Sequence, residues 1–354
     1  MQIEDGVFQF KVPMPVNPNI PDGGLRYTLV YLVSVADGWV VIDAGLNTDI
    51  GFESFKESMH EAGIQPNEVK LIVITHGHPD HAGLANRFKS FTGAKLAMHR
   101  LDAGDGANPM ARRDPEKTHN VMLRYGVPES ELREGFMNRP QRNTSNSLDT
   151  VWRPPLPEVD LLLEGNEELL PGSDLWTIWT PGHSPGHICI HDRKRKLLFS
   201  GDHILPVITP HVSLFPGDEG NPLGEFIRRQ QDLRSLDIVA IHPAHEYSMP
   251  NPTERIDQLL EHHRERLDEI AATLSDGPKT AWQVASVIHW NVAPWPDLSP
   301  WTRRMAMMET ISPAFTVKLR LFCTATPPRT VVKFLMSIIG FDCVCCSTIK
   351  YFAC

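Results

Sequence analysis

Thr75-His76-Gly77-His78-Pro79-Asp80-His81 follows a continuous apolar run, and the two together decide how this chain is read. The run, Val69–Thr75 (VKLIVIT), is expected to be a strand buried on both faces. Residues from Pro79 to Phe91 look helical, so four ligand-capable side chains fall within six positions at a strand-to-helix junction. A strand exit lets the alternate residues His76 and His78 face one side, and the following turn brings Asp80 and His81 round beside them. Imidazole and carboxylate suit Zn²⁺ and similar first-row divalent metals. A single histidine near a strand end is ordinarily structural. Four ligand-capable groups at this spacing are not.

Three further elements recur downstream, each after an expected strand. Thr180-Pro181-Gly182-His183-Ser184-Pro185-Gly186-His187 supplies His183, Phe199-Ser200-Gly201-Asp202-His203 supplies Asp202, and His242-Pro243-Ala244-His245-Glu246-Tyr247 supplies His245. With Val41-Ile42-Asp43-Ala44-Gly45 upstream, this order resembles the metallo-β-lactamase superfamily over about residues 25 to 275. The resemblance implies an α+β fold, a four-layer αββα sandwich, with a helical insertion and a small C-terminal helical, winged-helix-like domain. It also implies that His76, His78 and His183 hold a first metal, that Asp80, His81 and His245 hold a second, and that Asp202 bridges them. Asp43 is expected to hold ligands through hydrogen bonds. The implied cofactors are two Zn²⁺ per chain, with Mn²⁺ or Fe²⁺ as alternatives. Every ligand position is filled, which argues against a pseudoenzyme.

The metals imply a mechanism. Water shared between two cations becomes hydroxide near neutral pH, because zinc lowers its pKa to about 7. It attacks a carbonyl or phosphoryl centre while a metal polarises the substrate oxygen. Asp80 orients the hydroxide. His187 is expected beside the ligands or the substrate, with a purely structural role as the alternative. Tyr247 and His203 are candidates to face the pocket. Cys189 is read as core rather than nucleophile, and His262 and His263 as surface or packing residues of a long helix.

The chain has 354 residues, 41% hydrophobic and 22% charged, which suits one large soluble domain plus an appendage. Its net charge is -9 and it has no long basic run, which weighs against a partner such as nucleic acid. The first residues lack the basic and apolar regions of a signal peptide. No stretch of about 20 apolar residues occurs, so no membrane span is expected and cytoplasmic is the default.

Short strands are expected at Tyr27–Ser34, Trp39–Asp43, Lys95–Met98, Leu175–Thr180, His187–His191, Lys196–Ser200 and Ile238–His242, with a helix over roughly Ile50–Ala62. Residues 1–251 are read as the catalytic domain, with 102–167 a helical lid whose Met122, Leu123, Tyr125, Phe136 and Met137 line an apolar entrance or, alternatively, pack a helical core. Asp114-Pro115 opens one lid helix ending near Gly126, and a second runs from Pro128 to Phe136. Residues 252–311 form the C-terminal helical domain, with a long helix over Pro252–Leu274 and a capping box at Thr280 and Gln283 opening another through Ile288. After Ile311 the pattern breaks into a basic tail, 312–354, containing five of the six cysteines, as though the original ending had been replaced.

TPGHSPGH, SGDH and HEYS are most similar to the glyoxalase II-type thioester hydrolases, although the basic C-terminal signature of those enzymes is missing. The helices after Pro252 resemble the lactamase-like branch, some of whose members cut RNA. Two iron-dependent branches fit less well: one carries a carboxylate where His78 stands, and the other uses a mononuclear site. The expectation is therefore a dinuclear hydrolase of a small-molecule thioester, ester or lactone, in a chain that can form a homodimer. A lactamase-like endoribonuclease or phosphodiesterase and an iron-dependent, non-hydrolytic member are the alternatives.

Overall fold

The computed structural model describes residues 1–16, 24–103, 115–132, 151, 154–214, 220–277 and 279–324, giving only the course of the helix over 313–324. Two compact units emerge: Met1–Arg113 with Pro140–Val212 and Glu225–Glu261, and Asp114–Arg139 with Ser213–Gly224 and His262–Cys354.

The first unit contains every described strand. One sheet has the order β1 (Gln2–Glu4), β2 (Val7–Pro13), β3 (Tyr27–Val35), β4 (Gly38–Ile42), β5 (Val69–Ile74), β6 (Lys95–His99) and β7 (Leu161–Leu163). It is antiparallel as far as β4 and parallel from β4 to β7. The other sheet comprises β8 (Leu175–Trp179), β9 (Ile188–Asp192), β10 (Leu197–Gly201), β11 (Ala240–Pro243) and β12 (Met249–Pro250), in sequential order, with β10 and β11 parallel. The helices are α1 (Asp49–Glu61), α2 (Pro79–Ala82), α3 (Ala85–Thr92), α4 (Pro115–Arg124), α5 (Glu129–Leu132), α6 (Pro222–Arg234), α7 (Pro252–Thr273), α8 (Ala281–Ala285) and α9 (Pro300–Thr324).

Three apolar layers make the first unit the expected αββα sandwich. Between the sheets, Tyr31, Val40, Leu71 and Val73 meet Leu175, Ile188, Ile190 and Phe199. On the outer face of the seven-stranded sheet, Val30, Ile72, Ile74 and Leu96 pack with Phe55 and Met59 of α1 and Phe88 of α3. On the outer face of the other, Cys189, Leu198 and Ile241 pack with Leu233 of α6 and Ile256 and Leu259 of α7. Strand β5 explains its own composition: Leu71 and Val73 turn inward while Ile72 and Ile74 turn toward the helices, so both faces must be apolar. Helix α1, 13 residues long, is marginal in isolation. Thr48 caps it through Gly51 N (2.9 Å), and Phe55 stacks on Phe88 at 3.7 Å. Burying such rings contributes about 1.5–3 kcal/mol each, more than the roughly 1 kcal/mol of the cap. Packing holds this helix.

The single helix expected over Pro79–Phe91 is broken into α2 and α3. Leu84 N donates to Gly45 O, and a Cβ on Gly83 would lie 2.6 Å from Asn47 N. The loop after Asp43 presses on the break, and only glycine admits it. Strands β1, β2 and β7 and helix α6 are not among the expected elements. The three residues of β7 are a strand because β6 pairs with them.

The described elements of the second unit are helices and turns. Met122, Tyr125 and Leu132 share a core with Ala285, Met307, Met308 and Ile311. Thr280 and Gln283 cap each other's backbone as their spacing predicts, but α8 ends at Ala285 rather than Ile288. The packing divides at His262, inside α7, rather than at Pro252, and it groups 114–139 with the C-terminal helices. Of the expected lid, residues 104–114, 133–150 and 152–153 lie outside the described ones, Phe136 and Met137 among them. Helix α9 runs through Ile311, where the sequence pattern changes, to Thr324. Cys343, Cys345, Cys346 and Cys354 lie outside the described residues. No described helix is long and apolar enough to cross a membrane.

His242 of β11 is buried against Tyr31 and Phe199, with Nδ1 2.7 Å from Ser248 Oγ. Burial pushes its pKa down to about 4. The unfolded chain, with the ordinary value of about 6.5, therefore binds the proton first as pH falls, so stability is lost from about pH 6.5 down to about 4. We predict that His242→Asn reduces the loss of unfolding free energy between pH 7 and 4.5 by about 2 kcal/mol. Denaturant titrations of parent and variant at both pH values measure this, and equal losses would count against it.

Candidate metal centre

Every group of the site follows the end of a strand, Asp80 and His81 within α2 and the others on loops. His76, His78, Asp80 and His81 follow β5, His183 lies between β8 and β9, Asp202 follows β10, and His245 follows β11. The donor atoms of His76, His78, His183 and Asp202 lie within 4.8 Å of one another, and so do those of Asp80, His81 and His245.

The outer ring nitrogens explain why the inner ones converge. His81 Nδ1 donates to Asp43 Oδ2 (2.9 Å), His183 Nδ1 to the His211 carbonyl (2.8 Å), and His245 Nδ1 to the Tyr27 carbonyl (3.1 Å). Thr75 Oγ1 donates to Asp43 and accepts from His76 Nδ1 at 3.1 Å. Each partner is an acceptor, which fixes the tautomer and leaves an Nε2 lone pair facing inward on all four rings. His76 Nε2 and His183 Nε2 are both 2.9 Å from His78 Nδ1, which carries at most one proton to offer them. His81 Nε2, His245 Nε2 and Asp202 Oδ1 are buried without a hydrogen-bond partner. Lone pairs gathered in this way call for a cation.

Asp202 stands between the two groups. Its Oδ2 is 3.4 Å from His183 Nε2 and 4.0 Å from His76 Nε2, whereas its Oδ1 is 3.4 Å from His245 Nε2 and 3.5 Å from His81 Nε2. Asp80 Oδ2 lies 3.5 Å from His245 Nε2 and 3.8 Å from His81 Nε2.

The electrostatics agree. Burial opposes charge on His81, yet Asp202, Asp43 and Asp80 outweigh it and hold its pKa well above the ordinary value. The carboxylates thus favour a positive charge at Nε2, which a proton supplies when no metal is bound and which a cation would supply in its place. Burial, then the neighbouring His183, pushes His78 down to about 3, so its ring is neutral and free to ligate. Asp202 stays ionised despite burial, because His81 and His245 face it. Asp80 is likewise held low by His81 and His245.

The remaining expectations are placed as follows. His187 is buried, with Nδ1 on Thr180 Oγ1 (2.8 Å) and Nε2 accepting from Asp202 N (3.1 Å), so both ring nitrogens serve the scaffold. Tyr247 is 56% exposed, and its electrostatic neighbour is Arg255. His203 is buried against Phe226, at 4.5 Å between ring centroids. Met122 and Tyr125 are buried in the second unit's core, the packing alternative, while Leu123 is exposed. Cys189 is a buried thiol that burial pushes up to about 12, far from a nucleophile's range.

Sequence reasoning missed the carbonyls of Tyr27 and His211, the hydroxyls of Thr75 and Thr180, and the buried carboxylate of Asp102. No local spacing signals them, because each makes a contact with a partner brought close only by folding, Thr75 with Asp43 among them. Gly201 is different: its φ of 51° and its crowding by His187 Nε2 (2.8 Å) and Thr75 Oγ1 (2.9 Å) explain the glycine before Asp202. Gly201→Ala is expected to destabilise the protein by about 1–3 kcal/mol and to reduce bound metal, since its Cβ displaces the ring that holds Asp202 N. Denaturant unfolding and elemental analysis test this, and full metal content in a folded variant would contradict it.

The model of the metallo-beta-lactamase superfamily matches residues 23–271. The chain is 24% identical over 297 residues to the probable metallo-hydrolase YqjP of Bacillus subtilis, spanning 80% of this chain and 85% of that protein. It is 31% identical over 188 residues to the acyl-coenzyme A thioesterase MBLAC2 of Gallus gallus, but that match spans 49% of this chain and only 56% of the relative. Among solved structures, a metallo-beta-lactamase family protein of Thermus thermophilus superposes with a TM-score of 0.69 at 26% identity, over 90% of this chain and 95% of the other. A beta-lactamase domain protein of Burkholderia ambifaria gives 0.72 at 22% identity, over 90% and 89% respectively, a likeness of fold. The fold and the histidine–aspartate cluster together imply divalent-metal binding.

Proposed function

Because the chain belongs to the metallo-β-lactamase superfamily, we propose that it is a dinuclear zinc hydrolase acting on acyl thioesters, with esters and lactones as further acyl substrates. The observation that carries this is Asp202, whose two oxygens face two separate histidine sets at 3.4–4.0 Å. His76, His78 and His183 would hold one ion, Asp80, His81 and His245 the other, with Asp202 between them. When bound, such ions supply Lewis acidity and lower the pKa of water to near neutrality.

The chain's own residues do the rest. Asp43 and the carbonyls of Tyr27 and His211 keep three imidazoles in the tautomer that ligates. Asp80, ionised and partly accessible, orients the attacking water through its carboxylate. His187 positions the backbone of Asp202 rather than exchanging protons itself. Tyr247, two residues after His245, is the phenol assigned to substrate contact. Hydrolysis then yields the free acid and the thiol.

The likeness to MBLAC2, named an acyl-coenzyme A thioesterase, favours thioesters among acyl substrates. The net charge of -9 favours a small molecule over a nucleic acid.

Elemental analysis of the purified protein, followed by a panel of acyl-coenzyme A thioesters, esters, lactones, β-lactams, phosphodiesters and RNA, tests this. Two zinc ions per chain and highest kcat/KM on thioesters are expected, and His78→Ala and Asp202→Ala should lose metal together with nearly all turnover. Turnover surviving both substitutions, or an iron protein that consumes dioxygen, would sink it.

A further inference from the structure

Asp102 lies in the turn after β6, is 1% exposed and pairs with no cation among the described residues, yet it accepts three hydrogen bonds. Its Oδ2 takes the Gly77 N–H at 3.0 Å and the Ser184 hydroxyl at 2.5 Å, and its Oδ1 takes the Gly186 N–H at 2.6 Å. Gly77 stands between His76 and His78. Ser184 follows His183, and Gly186 precedes His187. One buried carboxylate thus ties the turn that leaves one sheet to the loop between two strands of the other.

The geometry points to Asp102 as a positioning residue for the first metal subsite, His76–His78–His183, which it acts on through the backbone of the two loops carrying those ligands. Burial alone raises the energy of its charged form, and the three donors lower it. Such a carboxylate is costly to bury where no geometry depends on it. The contact is also closed against substitution from the other side: a Cβ on Gly186 would lie 2.6 Å from Asp102 N and 2.8 Å from its Cγ. The turn is braced in addition. Asp102 N donates to His99 O, and the His99 ring stacks on Trp179 with an interplanar angle of 3°. Trp179 Nε1 in turn donates to Pro185 O within the His183 loop (2.9 Å). Asp43 does the matching work behind the second subsite through His81.

This assignment rests on the two-metal reading above, so the test begins with the parent. Full-length protein is stripped of metal and titrated with Zn²⁺ against a chromophoric chelator, and separately with Co²⁺ while its visible ligand-field bands are recorded. In Asp102→Ala and Asp102→Asn, one equivalent is expected to weaken by about 10–100-fold. It should be the equivalent that His183→Ala abolishes, with an altered Co²⁺ spectrum, while the equivalent lost in His245→Ala keeps its affinity. Ser184→Ala, which removes one donor of three, should shift the same equivalent less, and it carries the test if Asp102→Ala does not fold. Asp160→Asn is the control, because Asp160 caps the opposite end of β6 through Leu96 N, and both affinities should stay at parental values. Parental affinities and an unchanged Co²⁺ spectrum in the Asp102 variants overturn the assignment, as does equal weakening of both equivalents. A parent that takes up no divalent metal overturns the hydrolase function instead.

Discussion

A carboxylate buried where two sheets meet, with each oxygen turned to a different pair of imidazoles, is a concentration of unshielded charge and lone pairs that a protein interior does not tolerate unless something positive balances it. Asp202 is that carboxylate. It follows β10, the central strand of the second sheet, and the ligands around it come from three other loops. For all of them to reach one point, the sheets must lie face to face and end on the same side, which the inter-sheet core from Val7 to Phe199 secures.

The scaffold controls the site through the outer edge of each ring. A histidine presents a lone pair in one direction only if its other nitrogen is committed to an acceptor. Here the acceptors are two backbone carbonyls, a threonine hydroxyl and Asp43. Asp43 itself stands at φ 64°, an unusual conformation for a residue with a side chain, and it is held there by hydrogen bonds to Thr75 N and Oγ1. Backbone strain next to a ligand set is thus exchanged for a fixed tautomer.

Family membership and chemistry separate cleanly in this chain. The superfamily match spans residues 23–271, and the likeness to a Bacillus metallo-hydrolase covers most of both proteins. The likeness to a thioesterase covers about half of either partner. The metal-binding half of the problem therefore has wide support, whereas the choice of substrate is a matter of surrounding loops, which the shared core does not dictate.

A cluster of histidines and aspartates at strand ends was legible in the sequence, because such placement leaves a spacing that one chain can show: HxHxDH after VKLIVIT, and a histidine or aspartate after three later strands. The layered fold was legible through the family that this order resembles. The capping box at Thr280 and Gln283 was legible from spacing as well, since both partners lie within one turn. What only the tertiary structure decided is everything that depends on groups distant along the chain. The break between α2 and α3 comes from a loop pressing on Gly83, β7 exists by pairing with β6, and His187 turns both nitrogens to the scaffold. Asp102 is the clearest case. A local pattern records what a residue can do, and its neighbours in space decide what it does.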